Sequence, residues 1–393
     1  MGWNMTFESP DVAPVYLDYN ATAPARPEAL EAAVAAMRTV GNASSTHRSG
    51  RDAADRVDLA RRQVAALLNC SPGEIIFTSG ATEANNLALR AAFSAGGRLV
   101  TSTVEHPAVL EASKALTSDA PGSLVVLPVN TDGLVDPAAL HKALAHGAVA
   151  VVSLMAANNE TGVLTDLEPI VEAAHEAGAL VHTDATQLVG RLPIDLAEID
   201  VDLLSLSAHK FGGPQGVGAL FVRRGAPLPY RPLLVGGGQE RGWRAGTLNV
   251  AGIAGAGAAA EAARLALGDE ANRVTRLRDA LEEALVEQIS DCRINGSTGL
   301  RLPGVTSITF RGAPADAVLA SMPDVAASEG SACSSGAPSP SHVLLAMGRS
   351  REEADSTIRF SLGYATTTHD VERAVSSTVR AVQQVRAALA PAI

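Results

Sequence analysis

The chain has 393 residues, of which 47% are hydrophobic and 19% charged, enough to bury a large core and long enough for two domains. A formal net charge of −11 excludes the broad basic face that releases counterions from nucleic acid, so the expected partner is a small substrate or a protein, not DNA or RNA. Three cysteines, Cys70, Cys292 and Cys333, stand far apart with no Cys-x-x-Cys pair; neither a disulfide framework nor a metal site is expected, and the compartment that fits is a reducing cytoplasm.

At the N-terminus, "MGWNMTFESPDVAP" has no basic segment followed by an apolar run. No stretch of the chain approaches about 18 uninterrupted apolar residues, so neither secretion nor a membrane span is expected. Met1 to Thr6 fits the loose myristoylation pattern, but no basic patch follows to supply a second anchor. After Pro27, Leu30, Val34 and Met37 recur at helical spacing, and Val57, Ala60, Val64 and Leu67 do so again, which predicts two amphipathic helices. Then come seven short apolar runs, "EIIFTSG", "RLVTST", "SLVVLPV", "AVAVVSLM", "ALVHTDA", "VDLLSLSAHK" and "GVGALFV", with helical patterns between several of them. Runs without strict alternation suit strands covered on both faces, so the middle of the chain reads as α/β, a mainly parallel sheet between helices. Near Gly246 the composition shifts. An alanine-rich stretch leads into a long helix, and "GVTSITF" and "STIRFSLG" follow as strands among helices, an α+β pattern that suggests a second, smaller domain. "GAGAAA" within this stretch lacks the third glycine of a dinucleotide fingerprint and follows no strand, so it is set aside.

Ligands of open α/β sheets gather beyond the carboxyl ends of the strands, which directs attention to the polar residues closing each run. "FTSGATEANN" sets Gly80, Ala81 and Thr82 between a strand and a helix, where free backbone N–H groups favour a phosphate. "STVEHPAV" ends on Glu105 and His106, and "LMAANNETG" on Asn158, Asn159 and Glu160. "VHTDATQ" carries Asp184 and Gln187, and "LLSLSAHKFGG" carries Ser207, His209 and Lys210. A carboxylate at a buried strand end needs a cation or several donors. A lysine just beyond a buried strand can be desolvated, which lowers its pKa and suits it to a Schiff base. Together these groups point to pyridoxal 5'-phosphate. Lys210 would bond the cofactor covalently, Asp184 would keep the pyridine nitrogen protonated, and Thr82, Ser207 and His209 would hold the phosphate.

With these residues in place the chain resembles the cysteine desulfurases, fold-type I pyridoxal-phosphate enzymes, of the group related to nitrogenase-cofactor and iron–sulfur-assembly desulfurases. The motifs that carry the resemblance run almost end to end: "YLDYNATAPARPEA", "GNASSTHRSG", "IIFTSGATEANNLAL", "EHPAVLEA", "NNETGVLTDL", "HTDATQLVGRLPIDL", "SAHKFGGPQGVGAL", "GGGQERGWRAGT", "GSACSSGAPSPSHVLLAMG" and "IRFSLG". The resemblance implies a large cofactor-binding domain over residues 21–262 with a mainly parallel seven-stranded sheet. Residues 1–20 and 263–393 would form the small domain that carries the catalytic cysteine loop. It further implies that His106 stacks on the cofactor ring and shuttles protons, that Asn159 lies near the ring hydroxyl and the substrate, and that Gln187 bonds the ring oxygen. Ala81 belongs to the phosphate turn, Thr247 reaches the phosphate of the partner subunit in a homodimer, and Arg359 takes the substrate carboxylate. Ala23, Gln215 and Glu329 depart from the family's usual residues, and none of them has an assigned part in the chemistry.

Cys333 sits in "ASEGSACSSG", among residues that pack poorly and bend easily, unlike an inert buried thiol. By the resemblance, its thiolate takes the sulfur of a cofactor-bound L-cysteine as a persulfide, releases L-alanine and delivers the sulfur to an acceptor protein. Cys70 and Cys292 have no such setting and read as structural. A selenocysteine lyase, or another pyridoxal-phosphate lyase or aminotransferase, would keep Lys210 and Asp184 without needing Cys333. The acceptor itself, whether it feeds iron–sulfur clusters, thiolated tRNA, sulfur-modified DNA or a metabolite, is not written in the sequence.

Overall fold

All seven apolar runs form strands of one sheet. The computed structural model describes residues 14–93, 97–228, 231–329 and 340–390. Across the sheet the order is Ile75–Thr78, Gly218–Val222, Leu203–Ser207, Leu180–Asp184, Val149–Ser153, Arg98–Ser102 and Leu124–Leu127. Neighbours from Leu203–Ser207 to Leu124–Leu127 are parallel; Gly218–Val222 alone runs against both its neighbours. The strands Ile75–Thr78, Arg98–Ser102, Val149–Ser153, Leu180–Asp184 and Leu203–Ser207 therefore all end on one edge of the sheet, where Gly218–Val222 begins.

Successive residues of these strands enter different cores, the period-two signature of a sheet buried on both faces. Ile75, Phe77, Val100, Val152, Val181, Leu204 and Phe221 pack with Val57, Ala60 and Val64 of helix Arg48–Leu68 and with Ile170 and Val171 of helix Glu168–Glu176. Ile76, Leu99, Val151, Leu203 and Leu220 pack on the other side against Ala84, Leu87 and Ala88 of helix Ala81–Ala92 and Val109 and Ala112 of helix Pro107–Thr117. A run in which apolar residues do not strictly alternate with polar ones is what such two-sided burial produces.

The alanine-rich stretch is part of one 39-residue helix, Val250–Gln288. Its small residues let it lie close against helix Arg48–Leu68: a Cβ on Gly257 would stand 2.4 Å from the Cα of Ala60. It is the one described helix long and apolar enough to cross a membrane. Here its first half, with Ile253, Ala256 and Ala260, belongs to the core of the large sheet. Its second half, with Val274, Leu277, Leu281 and Leu285, belongs to a separate core. The division expected at residue 262 falls inside this helix. The second core is built on the antiparallel strands Ser328–Glu329, Thr357–Ser361, Val305–Phe310 and Cys292–Ile294, with Val15–Tyr16 paired parallel to Val325–Ala326 nearby.

One expectation comes out differently. Helix Pro27–Met37 exists, but it buries Ala29 and Ala36, while Leu30, Val34 and Met37 face outward with 55%, 43% and 73% exposure. Its apolar stripe is turned away from this subunit's core.

Candidate active site

Nine of the expected residues line one cavity of about 390 Å³ at the shared strand edge: Ala81, Thr82, His106, Asn159, Asp184, Gln187, Ser207, His209 and Lys210. They stand at or just past the ends of five strands, Ile75–Thr78, Arg98–Ser102, Val149–Ser153, Leu180–Asp184 and Leu203–Ser207, which is why residues so far apart in sequence meet. Ala81 and Thr82 open helix Ala81–Ala92, so the unpaired N–H groups of its first turn face the cavity edge. The turn is shaped by Glu83, whose Oε2 accepts the N–H of Ser79 at 2.9 Å. Gly218 lies directly beneath it, since a Cβ there would be 2.6 Å from the Cα of Gly80 and from the carbonyl oxygen of Leu206.

Asp184, buried at the end of its strand, accepts from the N–H of Thr186 at 3.0 Å and from Asn85 Nδ2 at 2.7 Å. Asn85, from the second turn of helix Ala81–Ala92, is a cavity residue to which the sequence pointed only as part of a motif. His182, two residues before Asp184, is buried between the hydroxyls of Ser153 and Ser205 at 2.8 and 3.0 Å, and burial holds its pKa far below the usual imidazole value.

His106 begins helix Pro107–Thr117, and its Nδ1 accepts the N–H of Ala108 at 3.1 Å, which leaves the neutral ring's proton on Nε2. Burial lowers its pKa, Asp184 opposes that shift, and Lys210 adds to it. His209 is pushed down to about 4 by burial and by the charges of Lys210 and Arg191, while its Nδ1 lies 3.1 Å from Thr22 Oγ1. The adjoining Glu105 is fully buried. Its Oε1 accepts from Ser102 Oγ at 2.7 Å and from the N–H of Met155 at 3.1 Å, Oε2 has no partner, and burial pushes its pKa up to about 8.

Lys210 donates to the carbonyls of Asn20 and Ala21, the latter at 2.9 Å. Asn20 is a second residue whose part the motif alone did not show. Its carbonyl also accepts from Gln187 Nε2 at 3.1 Å, its side-chain Nδ2 donates to the Asn159 carbonyl at 2.9 Å, and its Oδ1 accepts from Arg191. One buried asparagine thus ties the N-terminal segment to three strand ends.

Arg359 does not line the cavity but lies directly behind it. It is 1% exposed, donates from Nη1 to the Asn159 carbonyl at 3.0 Å and pairs through Nη2 with Asp18 Oδ1 at 2.7 Å, while Nε has no partner. The ion pair with Asp18 is largely buried. Next to it Glu160 accepts a hydrogen bond from Ser341, and burial raises its pKa to about 7 against the opposing effects of that bond and of Arg359.

Thr247 is exposed and does not line this cavity. It lies past a segment fastened to the edge strand. Glu240, at a left-handed φ of 47°, accepts the Phe77 N–H at 2.8 Å and pairs with Arg61 at 2.6 Å, and Arg244 pairs with Glu83 at 2.9 Å. Cys333 lies outside the described residues. Burial raises the thiol pKa of Cys70 to about 12 and that of Cys292 in the same direction, so neither is poised as a nucleophile.

Known proteins are similar to this chain over nearly its whole length. The profile of the family described as aminotransferase class-V matches residues 15–374. A cysteine desulfurase of Frankia sp. (strain EuIK1) is 44% identical over 386 residues, covering 95% of this chain and 92% of its own length. A cysteine desulfurase IscS of Anaeromyxobacter sp. (strain Fw109-5) is 45% identical over 379 residues, with 95% and 93% covered. Among solved structures, a NifS-like protein from Rickettsia africae ESF-5 matches with a TM-score of 0.85 at 33% identity, covering 94% of this chain and 99% of that one.

Proposed function

This chain belongs to the class-V aminotransferases and, among them, to the cysteine desulfurases, and from that premise we propose that its cavity holds pyridoxal phosphate and that sulfur removed from L-cysteine is carried on Cys333 to an acceptor protein, leaving L-alanine. The observation that supports this reading most is the convergence of Lys210 and Asp184 on one cavity whose rim is a helix N-terminus.

The residues present fit the cofactor. A cavity of about 390 Å³ is of ligand size. Ala81, Thr82, Ser207 and His209 would take the phosphate, Asp184 the pyridine nitrogen and Lys210 the reactive carbon. Gln187 is buried with Oε1 unpartnered, an acceptor that a ring hydroxyl would satisfy. Pyridoxal phosphate supplies, when bound, an electron-withdrawing ring that stabilises negative charge on the amino acid attached to it.

The chain's own groups do the rest. Lys210 Nζ, held at the cavity rim by two neutral carbonyls, is the amine that bonds the cofactor and moves protons once released. His106 is neutral at neutral pH because burial depresses its pKa, and it can give the proton on Nε2 and later take one back there. His209, pushed down to about 4, would meet the phosphate as a neutral hydrogen-bond donor. Arg359 is fixed by Asp18 and the Asn159 carbonyl, and its unpartnered Nε would be the donor left for a substrate carboxylate. Cys333 accepts the sulfur: cysteine and a thiol become alanine and a persulfide, with atoms balanced.

The reading extends to a cytoplasmic homodimer. The exposed stripe of Leu30, Val34 and Met37, with Val40 at 91% exposure, supports a covering second copy, and Thr247 would then reach the partner's phosphate. The free thiols Cys70 and Cys292 suit a reducing compartment. The test is to add pyridoxal phosphate to purified protein, reduce with borohydride and locate the adduct. It should lie on Lys210 and be absent from a folded Lys210→Ala variant, and the loaded protein should release alanine from cysteine. An adduct on another lysine, or no alanine, overturns the reading.

A further inference from the structure

Asn85 and Asn86 are adjacent and identical in sequence, yet the fold gives them opposite settings. Asn86 is half-buried, and its side chain bonds back to the Thr82 carbonyl of its own helix at 2.9 Å. Asn85 is 0% exposed, lines the cavity, and donates from Nδ2 to Asp184 Oδ2 at 2.7 Å. Its Oδ1 is buried without a partner. A buried amide half satisfied in this way is costly where an aliphatic side chain of similar size would not be, so packing gives no reason for it. The hydrogen bond to Asp184 does.

We propose that Asn85 is the positioning residue of Asp184, aiming its carboxylate at the ring nitrogen of the cofactor; the proposal rests on the reading that Asp184 faces that nitrogen. Among the described residues the hydrogen bonds to the Asp184 carboxylate come from Asn85 and from the backbone of Thr186, one to each oxygen. Two donors on two different elements fix the plane of the carboxylate, and the lone pairs left over then have one heading. The titratable groups around it are otherwise engaged. Glu105 accepts from Ser102 and Met155, His182 bonds Ser153 and Ser205, and His106 Nδ1 is used by Ala108.

The placement has a further consequence. Ala81 and Thr82, which would meet the phosphate, are in the first turn of the helix that carries Asn85. With a rise of about 1.5 Å per residue, Asn85 stands roughly 4.5 Å along the axis from Thr82. One rigid helix therefore sets the phosphate end of the site and the carboxylate end together, so a shift at either is felt at the other.

The experiment measures the dissociation constant of pyridoxal phosphate by equilibrium dialysis and the pH titration of the bound cofactor's visible band. It compares wild type, Asn85→Leu, Asp184→Asn and the double variant, with the melting temperature of the apoprotein as the control for folding. Asn85→Leu should weaken cofactor binding about tenfold or more, as loss of a hydrogen bond to a charged group does, and should shift the band's titration. In the Asp184→Asn background the same change should cost less than about twofold, because the partner it acts through is gone. An equal cost in both backgrounds, or no effect in wild type, overturns the positioning role while leaving the cofactor reading standing. If Asp184→Asn alone binds cofactor as wild type does, the reading of Asp184 falls and the positioning role with it. Should the apoprotein of Asn85→Leu melt early, Asn85→Asp decides: it keeps the shape, sets an acceptor against an acceptor, and must weaken binding at least as much.

Discussion

Gly218 is expected to be intolerant of even one methyl group, and the damage should reach the cofactor. A Cβ added there would lie 2.6 Å from two backbone atoms of Gly80 and 2.6 Å from the Leu206 carbonyl oxygen. Carbon atoms rest at about 3.5–4.0 Å, so the overlap is roughly 1 Å, and backbone on both sides cannot swing away as a side chain would. Overpacking of this kind costs about 1–3 kcal/mol. At about 2–4 °C per kcal/mol for chains of some 150–250 residues, the apoprotein should melt several degrees lower. The softer neighbour is the turn, so relief comes from pushing Gly80 outward, which displaces Ala81 and Thr82 with it. Loss of one charge-assisted bond to a phosphate is worth about 1.5–3 kcal/mol, so the dissociation constant of pyridoxal phosphate should rise by about tenfold or more. The control is Gly268→Ala, in the exposed part of helix Val250–Gln288, where a Cβ meets nothing within 4 Å. That change should stabilise by up to about 1 kcal/mol and leave binding untouched. Calorimetry and dialysis on the two variants decide the matter. Wild-type melting and binding in Gly218→Ala, or equal harm from Gly268→Ala, would refute the reasoning.

Cys333→Ser should retain cofactor yet release neither alanine nor persulfide sulfur from cysteine, whereas Cys70→Ser and Cys292→Ser should turn over nearly as wild type; peptide mass mapping of the wild-type persulfide to Cys333 checks this. Burial raises Glu105 from its ordinary value to about 8, so the native state holds a proton there that the unfolded chain gives up near pH 4.5. Its contribution is fully present below about pH 4.5 and is lost as pH rises toward 8; urea denaturation of apo Glu105→Gln across that window should show a flatter decline than wild type. Thr247→Ala should weaken cofactor binding at concentrations where wild type sediments as a dimer, and a wild-type monomer that binds cofactor fully at high dilution would count against the partner contact.

Much of this arrangement was legible in one dimension. Most of the seven strands could be read because a strand buried on both faces carries apolar residues without strict alternation and ends where polar turn chemistry begins. Asp184, His106 and Lys210 stood out because charge at the end of such a run is costly without a purpose. What could not be read was direction, cover and long-range pairing. Nothing in "GVGALFV" says that this strand enters antiparallel; its neighbours decide that, and with it the place of Gly218 beneath Gly80. The periodicity of Leu30, Val34 and Met37 defines a helix face but not what lies over it, and the structure turns that face outward. Asn85 and Asn20 were quoted within motifs with no part of their own, because an amide announces nothing until its partner is known. Their partners lie 99 and 139 residues away at Asp184 and Asn159. Local sequence determines which segments are strands and helices, since propensity and burial pattern act within a few residues. Which side chains then touch depends on the chain returning to itself across hundreds of residues, and only the packed structure specifies that.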